Sequence, residues 1–170
     1  SEITLNNLKL DNLYDLTKMV GESLCYSLNN PDIKIARLSN VIGMDEKSSN
    51  FFDNLINEAR DIGQVNLKSN LDSTKDYIFI EDVIKLIIKI IKHGNKNCYN
   101  IASGVNISNK YIIKLLQQEF NMMFYSNEKV EPLLSKKINI SRIKKEFGFM
   151  PNNPIDIMKS IINKRAIPWK

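Results

Sequence analysis

Apolar residues recur every four positions at Leu16, Val20, Leu24 and Leu28. That spacing lines one face of a helix, so a helix is expected over residues 13–28. Asn29-Asn30-Pro31-Asp32 ends it, since proline fixes its own backbone and donates no amide hydrogen. Residues 33–38 alternate as a strand does, and the chain is expected to turn at Gly43. A second helix fits residues 51–62, with Gly63 as its stop. Short strands fit 65–67 and 76–80. From Asp82, the run Val83, Ile84, Leu86, Ile87, Ile88, Ile90 and Ile91 is apolar round most of a helical circumference. Such a helix is expected to be buried on more than one side, and it ends at Gly94-Asn95. A strand fits 98–101, and Ser108 is a natural N-cap for a helix reaching Phe120. Ile112, Ile113, Leu115 and Leu116 form its inward face. The segment after Phe120 has no clear period. Ser141 opens a helix closed by Gly148 and stopped by Pro151, and a last helix runs from Pro154 to about Lys164.

Strands alternate with helices, so the class is α/β. The strands are few and short for so many apolar helices, as though most of the sheet they cover were missing. The chain has 170 residues, 43% of them hydrophobic and 25% charged, the balance of an ordinary globular domain. No run of about 20 uncharged apolar residues is present, so no membrane span is expected. The start, Ser1-Glu2-Ile3-Thr4, lacks the basic and apolar regions of a leader peptide. With two distant cysteines, Cys25 and Cys98, free thiols and a cytoplasmic location are expected. A single histidine, His93, gives no support to a metal site.

The net charge of +5 raises the question of nucleic acid. The lysines are dispersed, however, in pairs such as Lys136-Lys137 and Lys144-Lys145, without the interleaved aromatics of a base-stacking surface. They read as solvated faces, and no nucleic-acid partner is expected.

Tyr14 and Lys18 lie four apart and therefore share a helix face. An ammonium beside a phenol favours the phenolate, which can then accept a proton from a substrate hydroxyl. Tyr125 and Lys129 have the same spacing. Only the first pair stands in an amphipathic helix followed by a strand and a turn.

In that context, Tyr14-Asp15-Leu16-Thr17-Lys18, with Glu22 one turn later, resembles the active-site helix of the extended short-chain dehydrogenases/reductases, the NAD-dependent epimerase/dehydratase family. Arg37-Leu38-Ser39-Asn40-Val41-Ile42-Gly43 is similar to that family's Arg-x-x-Asn-Val-Tyr-Gly segment. Lys75-Asp76-Tyr77-Ile78-Phe79-Ile80-Glu81-Asp82-Val83 resembles Arg-Asp-Tyr-Ile-x-Val-x-Asp-Val. Tyr99-Asn100-Ile101-Ala102-Ser103-Gly104 resembles Tyr-Asn-Ile-Gly-x-Gly, and Phe147-Gly148-Phe149-Met150-Pro151 resembles Leu-Gly-Trp-x-Pro.

The resemblance implies the carboxyl-terminal portion of an extended Rossmann-type dehydrogenase/reductase. Residues 1–45 would hold the active-site helix and the following strand, and residues 46–170 the small substrate-binding subdomain. It implies NAD or NADP as cofactor and a nucleotide-activated sugar as substrate. Tyr14 would be the acid/base, and Lys18 would hold the nicotinamide ribose. Leu38 would face the nicotinamide, and Ser39, Asn40, Leu67 and Lys75 would meet the sugar nucleotide. Arg37 reads equally well as a surface charge at a strand end, and Asp82 reads as the cap of its helix. Gly104 and Gly148 read as backbone punctuation. The helix at 13–28 resembles the one through which relatives form homodimers.

Four departures stand against full activity. The glycine-rich loop that cradles the cofactor diphosphate is absent from the chain, and Tyr14 leaves no room upstream for the family's catalytic Ser or Thr. Lys75 replaces an arginine and its planar fork. The later basic clamp has no clear counterpart, although Lys136 or Lys137 could serve. The isolated chain is therefore expected to be inactive. A non-catalytic binding or assembly domain derived from the family is the alternative. Whether the natural reading frame continues upstream of Ser1 and carries the glycine loop separates the two.

Overall fold

A computed structural model describes residues 10–45, 49–127 and 129–166, with side chains from Leu13 onwards. The four residues on which the leader reading rests lie outside them. Helix α1 (Leu10–Ser27) leads to β1 (Ile35–Leu38) and β2 (Asn40–Ile42), which are separated only by Ser39. Helix α2 (Phe51–Asn57) widens into a π-helical turn (Glu58–Ile62), followed by β3 (Gln64–Leu67) and β4 (Thr74–Phe79). Then come α3 (Ile80–His93), β5 (Cys98–Ile101), β6 (Asn106–Ser108) and α4 (Asn109–Glu119). The series closes with β7 (Met123–Ser126), α5 (Ser141–Phe147) and α6 (Pro154–Ala166).

Local chemistry sets many of these limits. The Asn50 side chain accepts from the Asp53 amide at 2.9 Å to start α2, and Ser108 accepts from the Tyr111 amide at 3.2 Å to start α4. Each satisfies a helix-end amide that has no partner within the helix. Gly63 (φ 69°) and Gly148 (φ 59°) end their helices in the left-handed conformation, as the sequence leads one to expect.

Strand β4 organises the molecule. β2 pairs with it in parallel and β6 antiparallel, while β1 pairs in parallel with β5, and β3 in parallel with β7. Successive side chains of a strand point to opposite faces, so β4 separates two cores. Tyr77 enters the first, with Phe52, Ile56, Val65, Leu67, Ile112, Leu116 and Ile161. Ile78 enters the second, with Val83, Leu86, Tyr99, Ile101 and Ile143. Among the described residues no helix is long and apolar enough to cross a membrane.

Several expectations need correction. Helix α3 begins at Ile80 rather than Asp82, because Ile78 and Phe79 are still paired with Val41 and Ile42 and the strand runs straight into the helix. Asp82 is therefore not its cap. Its buried carboxylate accepts instead from the amide and the side chain of Asn152, at 2.7 and 2.8 Å. Nor is α3 buried on several sides. Val83, Leu86 and Ile90 are inward, but Ile84, Ile88 and Ile91 stand 50%, 48% and 75% exposed. The strand expected from residue 33 starts at Ile35, because Asn30 turns the chain by accepting from the amides of Asp32 and Ile33. Strands β2, β6 and β7 had no expectation.

Asp82→Ala should lower the unfolding free energy by about 1 to 3 kcal/mol, because it removes the buried charged acceptor that holds the amide and side chain of Asn152. The shift of the urea midpoint measures this, and an unchanged midpoint would contradict it.

Candidate active site

Tyr14 and Lys18 lie on α1, with the Lys18 ammonium 5.1 Å from the centre of the Tyr14 ring. The phenol is open to solvent, at 63% exposure. One turn on, Glu22 accepts from Arg37 of β1, through Nε at 2.8 Å and through a second guanidinium nitrogen. The fork holds Glu22 below the usual carboxylate range, chiefly through the hydrogen bond. Arg37 is thus more than a charge at a strand end, since it ties the helix of Tyr14 to the strand that leads into Leu38 and Ser39. Tyr125 lies in β7 and Lys129 beyond it in a turn, so their equal spacing puts them on no common helix.

The remaining candidates gather where β1 passes into β2. Leu38, half exposed, ends β1 opposite Ile101. The Ser39 amide donates to the Ile101 carbonyl at 3.0 Å, whereas Asn40 pairs with Tyr77 of β4. The chain thus changes sheets at Ser39. The Asn40 side-chain amide donates to the Asp76 carbonyl at 2.9 Å. Next to Asp76, the Lys75 ammonium rests 4.8 Å from the centre of the Phe51 ring. Asn40, Asn50, Phe51 and Tyr77 line a cavity of about 110 Å³. Leu67 stands apart from this group, with its side chain packed in the first core.

Two hydroxyls here are buried without a hydrogen-bond partner among the described residues, Ser39 Oγ and the Tyr77 phenol. Burial pushes the Tyr77 phenol well above its ordinary value. A buried hydroxyl with no partner is costly, and the Tyr77 phenol, in the cavity wall, is a ready contact for a polar ligand. Tyr77 is not among the site residues expected from the sequence, although it stands in the segment beginning at Lys75. The signal available was its place two residues beyond a candidate cation, on the same face of one strand.

The pair between α1 and β1 has a defined pH sense. Glu22 has a depressed folded-state value, so its contribution is present above the unfolded carboxylate value and is lost as pH falls through the depressed one. Amides of residues 13–27 should therefore exchange faster in Glu22→Gln than in the parent chain at neutral pH. The difference should close on acidification, and a gap that persisted in acid would refute the assignment.

The fold matches several solved structures. It aligns with RMD from Pseudomonas aeruginosa, complexed with NADPH, at a TM-score of 0.77 and 18% identity, over 90% of this chain and 56% of that one. It aligns with dTDP-glucose 4,6-dehydratase from Bacillus anthracis, complexed with NAD, at 0.69 and 14%, over 86% and 48%. It aligns with UDP-glucose 4-epimerase from Thermotoga maritima, with UDP-glucose, at 0.63 and 17%, over 76% and 44%. The chain thus spans about half the length of these relatives, and at such identities the likeness establishes the fold, which is Rossmann-like α/β. No curated protein matches the chain. Residues 1–102, more than half of the sequence, match the NAD dependent epimerase/dehydratase family, and the chain belongs to that family.

Proposed function

We propose that this chain is the substrate-side part of an NAD- or NADP-dependent enzyme that oxidises a sugar carbon of a nucleotide-activated sugar. The observation that carries the reading is the Lys18 ammonium beside the exposed Tyr14 phenol, on a helix tied by Glu22 and Arg37 to the strand that delivers Ser39 and Asn40. The cofactor complexes of the matched structures and the UDP-glucose in one of them support the ligand classes.

The residues present suit the nicotinamide end of the dinucleotide. Tyr14 and Lys18 offer a hydroxyl and an ammonium to its ribose, and half-exposed Leu38 offers an apolar contact. When bound, the dinucleotide supplies the hydride acceptor. Tyr14 takes the proton of the sugar hydroxyl as its carbon becomes a ketone. Ser39, Asn40 and the Tyr77 phenol would hold the sugar, and Lys75, lifted from Phe51, would give a point charge to the diphosphate. Leu67 would back the base pocket from within the core. Residues 1–45 would act with the cofactor half, and 46–170 with the sugar nucleotide. The keto-sugar can go on to epimerisation or dehydration, and epimerisation is the step we favour.

The chain has no glycine loop for the diphosphate, so alone it is inactive on this reading. In an enzyme that carries this chain together with the phosphate loop, Tyr14→Phe should lower turnover by roughly a hundredfold to ten-thousandfold while cofactor still binds. Retained turnover would remove Tyr14 from the chemistry.

Helix α1 and the turn after it leave Leu13, Val20, Leu24 and Leu28 more than half exposed. An apolar face of this kind seeks a partner, and we assign it to a homodimer interface. Sedimentation equilibrium should show dimers that Leu24→Glu dissociates. A monomer at every concentration would exclude the interface.

A further inference from the structure

Two oppositely charged, buried side chains lie beside the candidate sugar-nucleotide cavity, and the proposed chemistry does not use them. Asp53, in the first turn of α2, and Arg165, in the last turn of α6, form an ion pair at 2.7 Å with side chains 0% and 1% exposed. The same guanidinium nitrogen donates to the carbonyls of Asp45, at 2.8 Å, and Gly43, at 3.3 Å. Arg165 Nε and its other terminal nitrogen have no partner among the described residues. A buried pair this incompletely satisfied is a poor way to stabilise a fold, because apolar residues of similar volume do as well or better.

What the pair does hold is the chain just beyond β2, at Gly43 and Asp45. Gly43 is packed so closely on Ile80 that a Cβ there would lie 2.9 Å from the Ile80 side chain. Asn50 caps α2 and donates from its side chain to the Val41 carbonyl at 3.2 Å. Val41, Ile42, Asn50 and Phe51 are walls of the cavity that Asn40 and Tyr77 also line. Ile80 holds one side of this turn and Arg165 the other.

We propose that Arg165 is a positioning residue, whose guanidinium, braced by Asp53, holds the turn at Gly43–Asp45 and so sets the wall of the cavity that receives the sugar nucleotide. The proposal rests on the reading of that cavity given above. It makes α6 a determinant of ligand affinity although none of its described residues lines the cavity. Arginine suits the task because its planar fork can engage a carboxylate and carbonyls together, which a lysine ammonium does less well.

The test uses the 170-residue chain with Asp53→Leu and Arg165→Met combined. Two readouts are followed, amide exchange at Gly43, Met44 and Asp45, and titration with UDP and with dTDP by NMR. The thermal midpoint should hold or rise. Exchange in the turn should quicken while the β4 amides stay protected, and nucleotide affinity should fall by about tenfold. Unchanged exchange in the turn, or equal loosening throughout the core, would overturn the proposal, since either makes the pair a general packing element. Unchanged nucleotide affinity with a loosened turn would overturn it too. If the double variant fails to fold, Arg165→Lys decides. Faster exchange confined to the turn supports the proposal, and parent-like exchange refutes it. A parent chain that binds neither nucleotide, with a turn that still loosens in the variant, would sink the sugar-nucleotide reading and leave the hold of Arg165 on the turn standing.

Discussion

One buried carboxylate keeps the two halves of this fold in register. Asp76, on the central strand β4, accepts from the backbone amides of Ser103 at 3.0 Å and Gly104 at 2.7 Å. Its own carbonyl accepts from Asn40 of β2. It therefore fixes the exit of β5 and the start of β2 against the same strand. Gly104 is more than punctuation in this arrangement. Its φ of 76° turns its amide to Asp76, and a Cβ there would come within 3.0 Å of Ile140. Both oxygens of the carboxylate are engaged, and two amides that lost such an acceptor inside the protein would carry the full cost of burial.

The site follows from that junction. Because β1 belongs to one sheet and β2 to another, Ser39 is a branch point rather than a link within a strand. Side chains on either side of it face different parts of the molecule. Arg37 of β1 reaches α1 through Glu22, and Asn40 faces the cavity between β2 and α2. The Glu22–Arg37 pair carries α1 to this junction from one direction, and the Asp53–Arg165 pair holds the turn beyond it from the other.

What could be read from sequence was whatever local chemistry decides. The α1 stripe, the Ser108 cap, the stops at Gly63 and Gly148 and the shared face of Tyr14 and Lys18 all depend on residues within one or two helical turns. The family was legible because its segments are short and contiguous. Partners distant in the chain were not. Nothing near Asp82 announces Asn152, nothing near Asp53 announces Arg165, and the change of sheet at Ser39 needs β4 and β5 in place. The circumference of α3 misled for a related reason. Apolar composition tells that a surface prefers cover, whereas burial depends on what lies opposite.

That uncovered face of α3 has a consequence for the chain as a colloid. Ile84, Ile88 and Ile91 are exposed on one helix, on a molecule whose net charge of +5 sets a repulsion between copies against their attraction. Salt at about 0.1 M shortens the reach of that repulsion to about 10 Å and leaves the attraction between isoleucines untouched. Cooling weakens the attraction instead. The chain is thus best dispersed when cold and dilute in electrolyte, and warming it in salt favours association through the same isoleucines.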